Sequence, residues 1–132
     1  MAKILLDTSI IVDFLRQKDK SKTILYHLGR DKYDLCVSII THTESYAGKS
    51  VWEKEDARQT LEILFSNIKI LPLEEESSKK AGEIRARYGT NIVDAIIAAT
   101  ALFYKLELAT LNIKDFENIK GMKLLKSRQL TN

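Results

Sequence analysis

Residues 3–16, KILLDTSIIVDFLR, change their hydrophobic period halfway along, and this change decides the fold. Residues 3–6 form a short apolar run that is typical of a buried strand, and the run ends at Asp7. Apolar side chains then recur at helical spacing, at Ile10, Ile11, Phe14 and Leu15. A buried strand that passes directly into an amphipathic helix is the repeating unit of α/β proteins.

The same alternation continues along the rest of the chain. Further strands are predicted at residues 34–38, 68–71, 106–110 and 122–125, and further helices at 21–29, from Thr41, at about 54–65, at 74–88 and after Asn91. There is no repeat, linker or low-complexity run. The pattern predicts one α/β domain over residues 1–132, with a mostly parallel central sheet that is flanked by helices in three layers.

Composition limits the class of protein. The 132 residues are 45% hydrophobic and 30% charged, as in soluble globular proteins, and every apolar run is shorter than a membrane span. The strand pattern starts at once after Met1, so we expect no signal peptide and a cytoplasmic location. The single cysteine, Cys36, lies in an apolar stretch and is expected in the core. The net charge of +3 permits a nucleic-acid partner without requiring one.

One carboxylate lies in the most apolar helix, NIVDAIIAAT at residues 91–100. Helical spacing places Asp94 on the same face as Ile97, Ala98 and Ala101. An ionised side chain on such a face is costly unless it is paired, hydrogen-bonded or bound to a cation. The alternative is that Asn91 caps the helix and Asp94 faces the helix dipole from a solvated end. This segment alone leaves both interpretations open.

Other polar residues follow the predicted strands: Asp7, Thr8 and Ser9 after the first, Thr41 and Glu44 after the second, and Thr110, Asn112 and Asp115 after the fourth. Each group also has a structural explanation. Asp, Thr and Ser cap helices, Thr41 and Glu44 have the spacing of a capping box, and Asn and Asp are common in turns. Parallel strands, however, would bring Asp7, Glu44, Asp94 and Asp115 to one edge of the sheet.

Four carboxylates in one cleft would repel each other, and a divalent cation would remove this conflict. Hard oxygen ligands suit Mg²⁺ or Mn²⁺, which bridge carboxylates to phosphate oxygens. Such ions activate water and stabilise the charge on a phosphodiester during in-line displacement. The combination of residues therefore indicates metal-assisted phosphodiester hydrolysis.

At these residues the chain resembles the PIN-domain family, specifically the VapC-type ribonuclease toxins of prokaryotic toxin–antitoxin pairs. The resemblance rests on LLDTSIIVDFL at residues 5–15, SIITHTE at 38–44, NIVDAIIAATAL at 91–102 and LATLNIKDF at 108–116. Their order and spacing extend through nearly the whole chain, which makes the resemblance specific although each piece alone is weak. The resemblance implies a PIN-like fold and an endoribonuclease that depends on Mg²⁺ or Mn²⁺. It also implies a homodimer, and a cognate antitoxin whose C-terminal segment lies across the active-site groove.

The resemblance also assigns roles to individual residues. Asp7, Glu44 and Asp94 match metal-binding carboxylates, and Asp115 matches the fourth and most variable one. This sequence has Asn112 at the earlier of the two places where families put that acid, so Asp115 is expected to act directly or through water. Residues that match the polar support of the site are Thr8, Ser9, Thr110 and Asn112.

Several features fit other interpretations. Asp13 points to a different helix face from Asp7, and residues 74–76, EEE, fit a helix start before Lys79 and Lys80. His27 and His42 would be needed for metal-free RNA cleavage. Basic candidates for contacts with RNA phosphates are Lys49, Arg85 and Arg87. The alternative function is a PIN-like module that binds RNA or protein without cutting. A D-x-D phosphatase is more distant, since Ser9 stands at the position of the second aspartate.

Overall fold

A computed structural model of the chain describes residues 2–125. Its strands are β1 (Lys3–Leu6), β2 (Asp34–Ser38), β3 (Lys69–Leu71) and β4 (Glu107–Ala109). Its helices are α1 (Thr8–Arg16), α2 (Ile24–Arg30), α3 (Ile39–Ser45), α4 (Lys49–Glu53), α5 (Glu55–Phe65), α6 (Glu75–Tyr88) and α7 (Ile92–Tyr104). Single 3-10 turns lie at Lys20–Lys22 and Ile113–Asp115. Strands and helices alternate as the sequence predicts.

The four strands form one sheet in the order β3-β2-β1-β4, and all three pairings are parallel. Leu5 of β1 lies between Cys36 of β2 and Leu108 of β4. The chain builds outward from β1 to β3 and then crosses to the other side of β1 to form β4. The direction of building therefore reverses between β1 and β4, and in α/β sheets a ligand crevice opens at such a point, beyond the carboxyl ends of the strands.

Both faces of the sheet are covered by helices. Alternate residues of β1 point to opposite faces: Ile4 and Leu6 pack against α1, α2 and α5, whereas Leu5 packs against α6 and α7. All three side chains are fully buried, which explains why the strand sequence is continuously apolar instead of alternating. The predicted three-layer α/β/α fold is confirmed. Cys36 is buried, as expected, in the core on the side of the sheet that α6 and α7 cover, and burial raises the pKa of its thiol.

Some predicted boundaries are wrong. Instead of one helix over residues 21–29 there is a 3-10 turn followed by α2, which begins after Thr23 because the Thr23 hydroxyl accepts the N–H of Tyr26. Gly29 does not end that helix: α2 runs to Arg30. The short helix α4 was not predicted. In place of the strand predicted at residues 122–125, there is a single parallel bridge between Leu124 and Leu108.

None of the helices within residues 2–125 combines the length and the apolar character needed to cross a bilayer.

Candidate active site

The candidate residues lie at the carboxyl edge of the sheet, where β1 and β4 end side by side. Asp7 follows β1 and Thr110 follows β4. The backbone N–H of Asp7 donates to the carbonyl oxygen of Ala109 at 2.9 Å, which ties the two strand ends together. The polar segment after β1 and the polar segment after β4 therefore lie side by side where the strand order reverses.

Asp7 is 97% buried, with a relative exposure of only 3%, and its carboxylate is held by two hydroxyl groups. Ser9 Oγ and Thr110 Oγ1 both donate to Oδ2 of Asp7, each at 2.7 Å. Asp7 is the N-cap residue of α1 by backbone position, but its side chain forms no capping hydrogen bond. The structural explanation of Asp7 as an ordinary helix cap therefore does not describe its carboxylate. Within residues 2–125, no donor contacts the second oxygen, Oδ1.

Glu44 lies on α3 and is held by Thr8. Thr8 Oγ1 donates to Oε1 of Glu44 at 2.8 Å, and it lies 2.9 Å from the hydroxyl of the fully buried Thr41. Because the Thr8 proton is used by Glu44, Thr41 is the donor in the second bond. The capping box predicted for Thr41 and Glu44 is wrong. α3 begins at Ile39, and the side chain of Ser38 caps it.

Asp94 lies in the first turn of α7, and Asn91 holds it twice. Asn91 Oδ1 accepts the backbone N–H of Asp94 at 2.9 Å, so Asn91 is the cap that the sequence predicted, and its Nδ2 donates to Oδ2 of Asp94 at 2.8 Å. Burial is the largest influence on the pKa of Asp94 and raises it. The Asn91 hydrogen bond lowers this pKa, and the negative charges of Asp7, Asp115 and Glu44 raise it. Asp94 is therefore close enough to the other three carboxylates for their charges to act on it.

Asp115 lies in the 3-10 turn after Asn112 and occupies a different position from the other three acids. It lines a smaller neighbouring cleft of about 360 Å³, which it shares with Asn91 and Asp94. The Asn112 side chain forms no cap for this turn and instead lines the main cleft, while its backbone N–H donates to Thr110. Asp115 thus shares a cleft with Asp94, whereas Asn112 lines the main cleft together with Asp7.

The main cleft has a volume of about 580 Å³ and is predominantly polar. Its acidic lining comprises Asp7, Asp13, Glu44 and Asp94. Among the described residues, no three His, Cys, Asp or Glu side chains form a compact cluster of metal ligands. An open arrangement nevertheless suits Mg²⁺, which keeps several waters and uses one or two carboxylates directly. The partnerless Oδ1 of the buried Asp7 and the mutual repulsion at Asp94 both fit a cation at this place.

The three basic residues proposed from sequence lie outside the main cleft, whose lining has one cation, Arg16. Lys49 is exposed at the start of α4. Arg85 donates to the carbonyl oxygen of Thr90 at 2.9 Å, and Arg87 pairs with Glu83 at 2.9 Å. Arg16 was not predicted from the sequence, because nothing in its local pattern distinguishes it from other arginines at helix ends.

The histidines do not contribute to the cleft. His42 packs against the rings of Tyr46 and Phe65, each with a centroid distance of 4.9 Å, and His27 packs edge-on against Tyr26. These contacts do not support metal-free cleavage through paired histidines.

Asp13 and the acidic run at residues 74–76, which the sequence does not favour as metal ligands, either have a hydrogen-bond partner or are exposed to solvent. Asp13 reaches the cleft wall, but its Oδ2 accepts the N–H of Ile24 at 3.4 Å. Glu75 and Glu76 are exposed in the first turn of α6, as expected for charges that face the helix dipole. Lys80 pairs with Glu83 and not with Glu76, the residue four positions earlier.

Comparison with known proteins shows relatives over nearly the whole chain. A family model described as PIN domain matches residues 4–122. Ribonuclease VapC19 of Mycobacterium tuberculosis is 30% identical over 117 residues, which cover 85% of this chain and 90% of that protein. The tRNA(fMet)-specific endonuclease VapC of Shigella flexneri is 28% identical and covers 93% of this chain and 96% of its own length. A chain in a toxin–antitoxin complex from Klebsiella pneumoniae superimposes with a TM-score of 0.73 and 28% identity, covering 90% of this chain and 94% of that one.

Proposed function

The chain belongs to the PIN-domain family and, within it, to the VapC-type endoribonuclease toxins, and we propose that its carboxylates hold Mg²⁺ or Mn²⁺ for the hydrolysis of RNA phosphodiester bonds. The observation that carries the metal proposal is that Asp7, Glu44 and Asp94 line one polar cleft. The pKa of Asp94 is raised, first by burial and then by the charges of Asp7, Asp115 and Glu44, which agrees with this proposal. A divalent cation stabilises carboxylates that share a cleft of this kind, because it offsets their negative charges.

Asp7, Glu44 and Asp94 would hold the ion, and Asp115 would act on it from the side, directly or through water. A bound divalent ion lowers the pKa of water and neutralises the charge that develops on the phosphate. The hydroxyl groups of Ser9 and Thr110 donate to Asp7, and that of Thr8 donates to Glu44, so they fix the orientation of these two carboxylates. Such supporting contacts tune ligand position and basicity in metal sites generally.

The remaining groups of the cleft would position the reacting atoms. Arg16 forms no ion pair with any described residue and is available to bind a phosphate oxygen. Oε1 of Glu44 is occupied by Thr8, which leaves Oε2 for the ion, and the proton that the attacking water loses would pass to solvent. The water oxygen forms a bond to phosphorus, the bond from phosphorus to one ribose oxygen breaks, and that oxygen takes a proton from solvent.

Chelation tests this proposal directly. Purified protein is incubated with RNA in 5 to 10 mM Mg²⁺, in excess EDTA, and in EDTA followed by excess Mn²⁺, conditions of the order needed to saturate weak carboxylate sites. We expect cleavage in the first and third samples and none in the second. Unchanged cleavage in EDTA would overturn the metal mechanism. Absence of cleavage under every condition, with RNA still bound, would identify a binding module instead.

The Thr8 hydroxyl provides a further prediction, because it links Thr41 to Glu44. Thr8→Val keeps the shape of the side chain but removes the donor to Glu44 and the acceptor for Thr41. We expect cleavage to fall about 10- to 100-fold, as for lost supporting contacts in metal sites. The free energy of unfolding should fall by about 1–3 kcal/mol, because a buried hydroxyl loses its acceptor.

The matched control for this change is Thr43→Val, on the solvent side of α3, the helix that carries Glu44; the Thr43 hydroxyl only bonds back to the carbonyl of Ile39. Single-turnover cleavage and thermal melts should leave this control near the wild type. Equal losses in both variants would mean that the Thr8 effect reflects general damage to α3.

RNA, an antitoxin and a second copy of the chain are the proposed partners, in the cytoplasm. The Shigella relative is named for tRNA(fMet), so initiator transfer RNA is the first substrate to test. The Klebsiella structure is a toxin–antitoxin complex, and the product of any short reading frame beside this gene would be the antitoxin candidate to test. Inhibition by that product and a dimer mass in light scattering are expected. No inhibition or a monomer mass would remove the respective proposal.

A further inference from the structure

Three clefts adjoin one another in a row that starts at the carboxyl edge of the sheet. The main cleft shares Asn91 and Asp94 with the smaller cleft that contains Asp115, which we call the side cleft. The side cleft in turn shares Tyr88 with a third cleft of about 520 Å³, which we call the basic cleft. Both the side cleft and the basic cleft fall within the 300–1,000 Å³ that is usual for small-molecule sites. The row forms a path that leaves the active site past Tyr88.

The sign of the charge changes along this path. The side cleft begins at Asp94 and Asp115 and gains one cation, Lys114. The charged residues of the basic cleft are Lys80, Glu83, Arg87 and Lys120. Glu83 is already paired with Lys80 at 3.0 Å and with Arg87 at 2.9 Å, so the lining carries a net positive charge of two.

The walls of this path are held in place before any ligand binds. The backbone N–H of Lys120 donates to the Tyr88 hydroxyl at 3.1 Å, which fixes the ring between the two clefts. Gly89, with φ of +70°, ends α6 in the left-handed conformation. Arg85 then donates to the Thr90 carbonyl, so the loop that forms the floor of the side cleft is tied to α6. Binding would therefore need little ordering of the protein.

We propose that single-stranded RNA runs from the scissile phosphate along this path, with one base against Tyr88 and the following phosphates at Arg87 and Lys120. This inference rests on the proposed function, because the path starts at the candidate metal site. Tyr88 has 41% of its surface exposed, enough to offer a ring face to a base. Proteins that bind single strands combine stacking rings with a cationic groove along the backbone, and both are present here. Arg87 retains donors for a phosphate because Glu83 engages only its Nε.

RNA binding in EDTA isolates this path from cleavage. Labelled single-stranded oligoribonucleotides are titrated with three proteins, and fluorescence anisotropy measures binding across a series of salt concentrations. The proteins are the wild type, a double variant with Arg87→Gln and Lys120→Gln, and the single variant Lys69→Gln. Lys69 is the matched control, because it is exposed at the amino end of β3, at the opposite edge of the sheet. The double variant should bind about tenfold more weakly. Its slope of log affinity against log salt should fall by about 1.4, since each lost phosphate contact on a single strand removes about 0.7.

Tyr88 variants test the stacking contact separately. Tyr88→Leu should weaken binding roughly 10-fold without a change in the salt slope, because stacking on a ring does not release counterions. Tyr88→Phe keeps the ring and should bind within about threefold of the wild type. Equal loss in the two variants would point to the hydroxyl contact with Lys120, and no loss in either would overturn the stacking contact.

The outcomes separate this inference from the proposed function. Cleavage in Mg²⁺ together with wild-type affinity in the double variant would overturn the path and leave the ribonuclease intact. Loss of affinity in the double variant without cleavage by the wild type would support the path and overturn the enzyme. Unchanged RNA affinity with altered mass in light scattering would show that the surface binds another copy of the chain instead.

Discussion

Asp94→Asn is expected to reduce RNA cleavage by at least about 10³-fold, which corresponds to about 4 kcal/mol of transition-state stabilisation. The substitution removes one negative charge from the site and keeps the shape of the side chain. The side-chain oxygen of asparagine can still accept from Asn91 Nδ2, and the cap formed by Asn91 on the backbone N–H is untouched. Single-turnover cleavage at saturating Mg²⁺ measures the effect.

The same substitution should leave the fold as stable as before or slightly more stable when EDTA is present. The pKa of Asp94 is raised in the folded protein, chiefly by burial, so the folded state keeps this proton to higher pH than the unfolded chain. Ionisation of Asp94 therefore lowers stability as pH rises through the folded pKa, and the loss persists at neutral pH. Because the carboxyl is partly exposed, solvent screening should keep the gain below about 1 kcal/mol, or a few degrees in Tm.

Thermal melts of the wild type and Asp94→Asn at pH 7 and in acid check this sign. The difference in Tm should favour the variant at pH 7 and shrink in acid, where the wild-type carboxyl is protonated. A large loss of stability at pH 7 would make Asp94 a structural residue. Unimpaired cleavage by the variant would remove it from the active site.

Asp7→Asn should also reduce cleavage by at least about 10³-fold, because Asp7 is the buried carboxylate at the junction of β1 and β4. The carbonyl oxygen of asparagine can still accept from Ser9 and Thr110, so the free energy of unfolding should change by less than about 1 kcal/mol. Cleavage rates and thermal melts of the variant measure both effects.

Asp13→Asn is the matched control for Asp7→Asn, because Asp13 lines the same cleft but its carboxylate accepts from the backbone of Ile24. Its cleavage rate should stay within about threefold of the wild type. If the two variants lose activity equally, negative charge in the cleft matters more than the particular ligands, and the assignment of Asp7 fails.

The fold could be predicted because short-range patterns of apolar residues indicate its strands and helices. The continuous apolar run at residues 3–6 and the helical spacing that follows it suffice to identify a buried parallel strand and its helix. Helix boundaries that depend on side-chain hydrogen bonds were harder to predict from the sequence. The sequence predicted α3 from Thr41 because Thr41 and Glu44 fit a capping box, but Ser38 forms the cap and Thr41 points into the core.

The candidate site was predictable only in part. Parallel topology brings residues that follow strands to one edge, which is why Asp7, Glu44 and Asp94 line one cleft. Their partners depend on tertiary contacts that have no local pattern: Thr8, which bonds to both Thr41 and Glu44, is 33 residues from the first and 36 from the second. The separate cleft at Asp115 and the basic path past Tyr88 likewise follow from how α6 packs beside the last turn. No spacing rule in the sequence reports that packing.

If these carboxylates form one divalent-cation site, calorimetric titration with Mn²⁺ should detect binding that depends on them. The wild type and Asp13→Asn should bind Mn²⁺ alike, whereas Asp7→Asn and Asp94→Asn should bind at least about tenfold more weakly while remaining folded. Equal Mn²⁺ affinity in all four proteins would contradict such a site, as would a wild type that cleaves RNA without binding the ion.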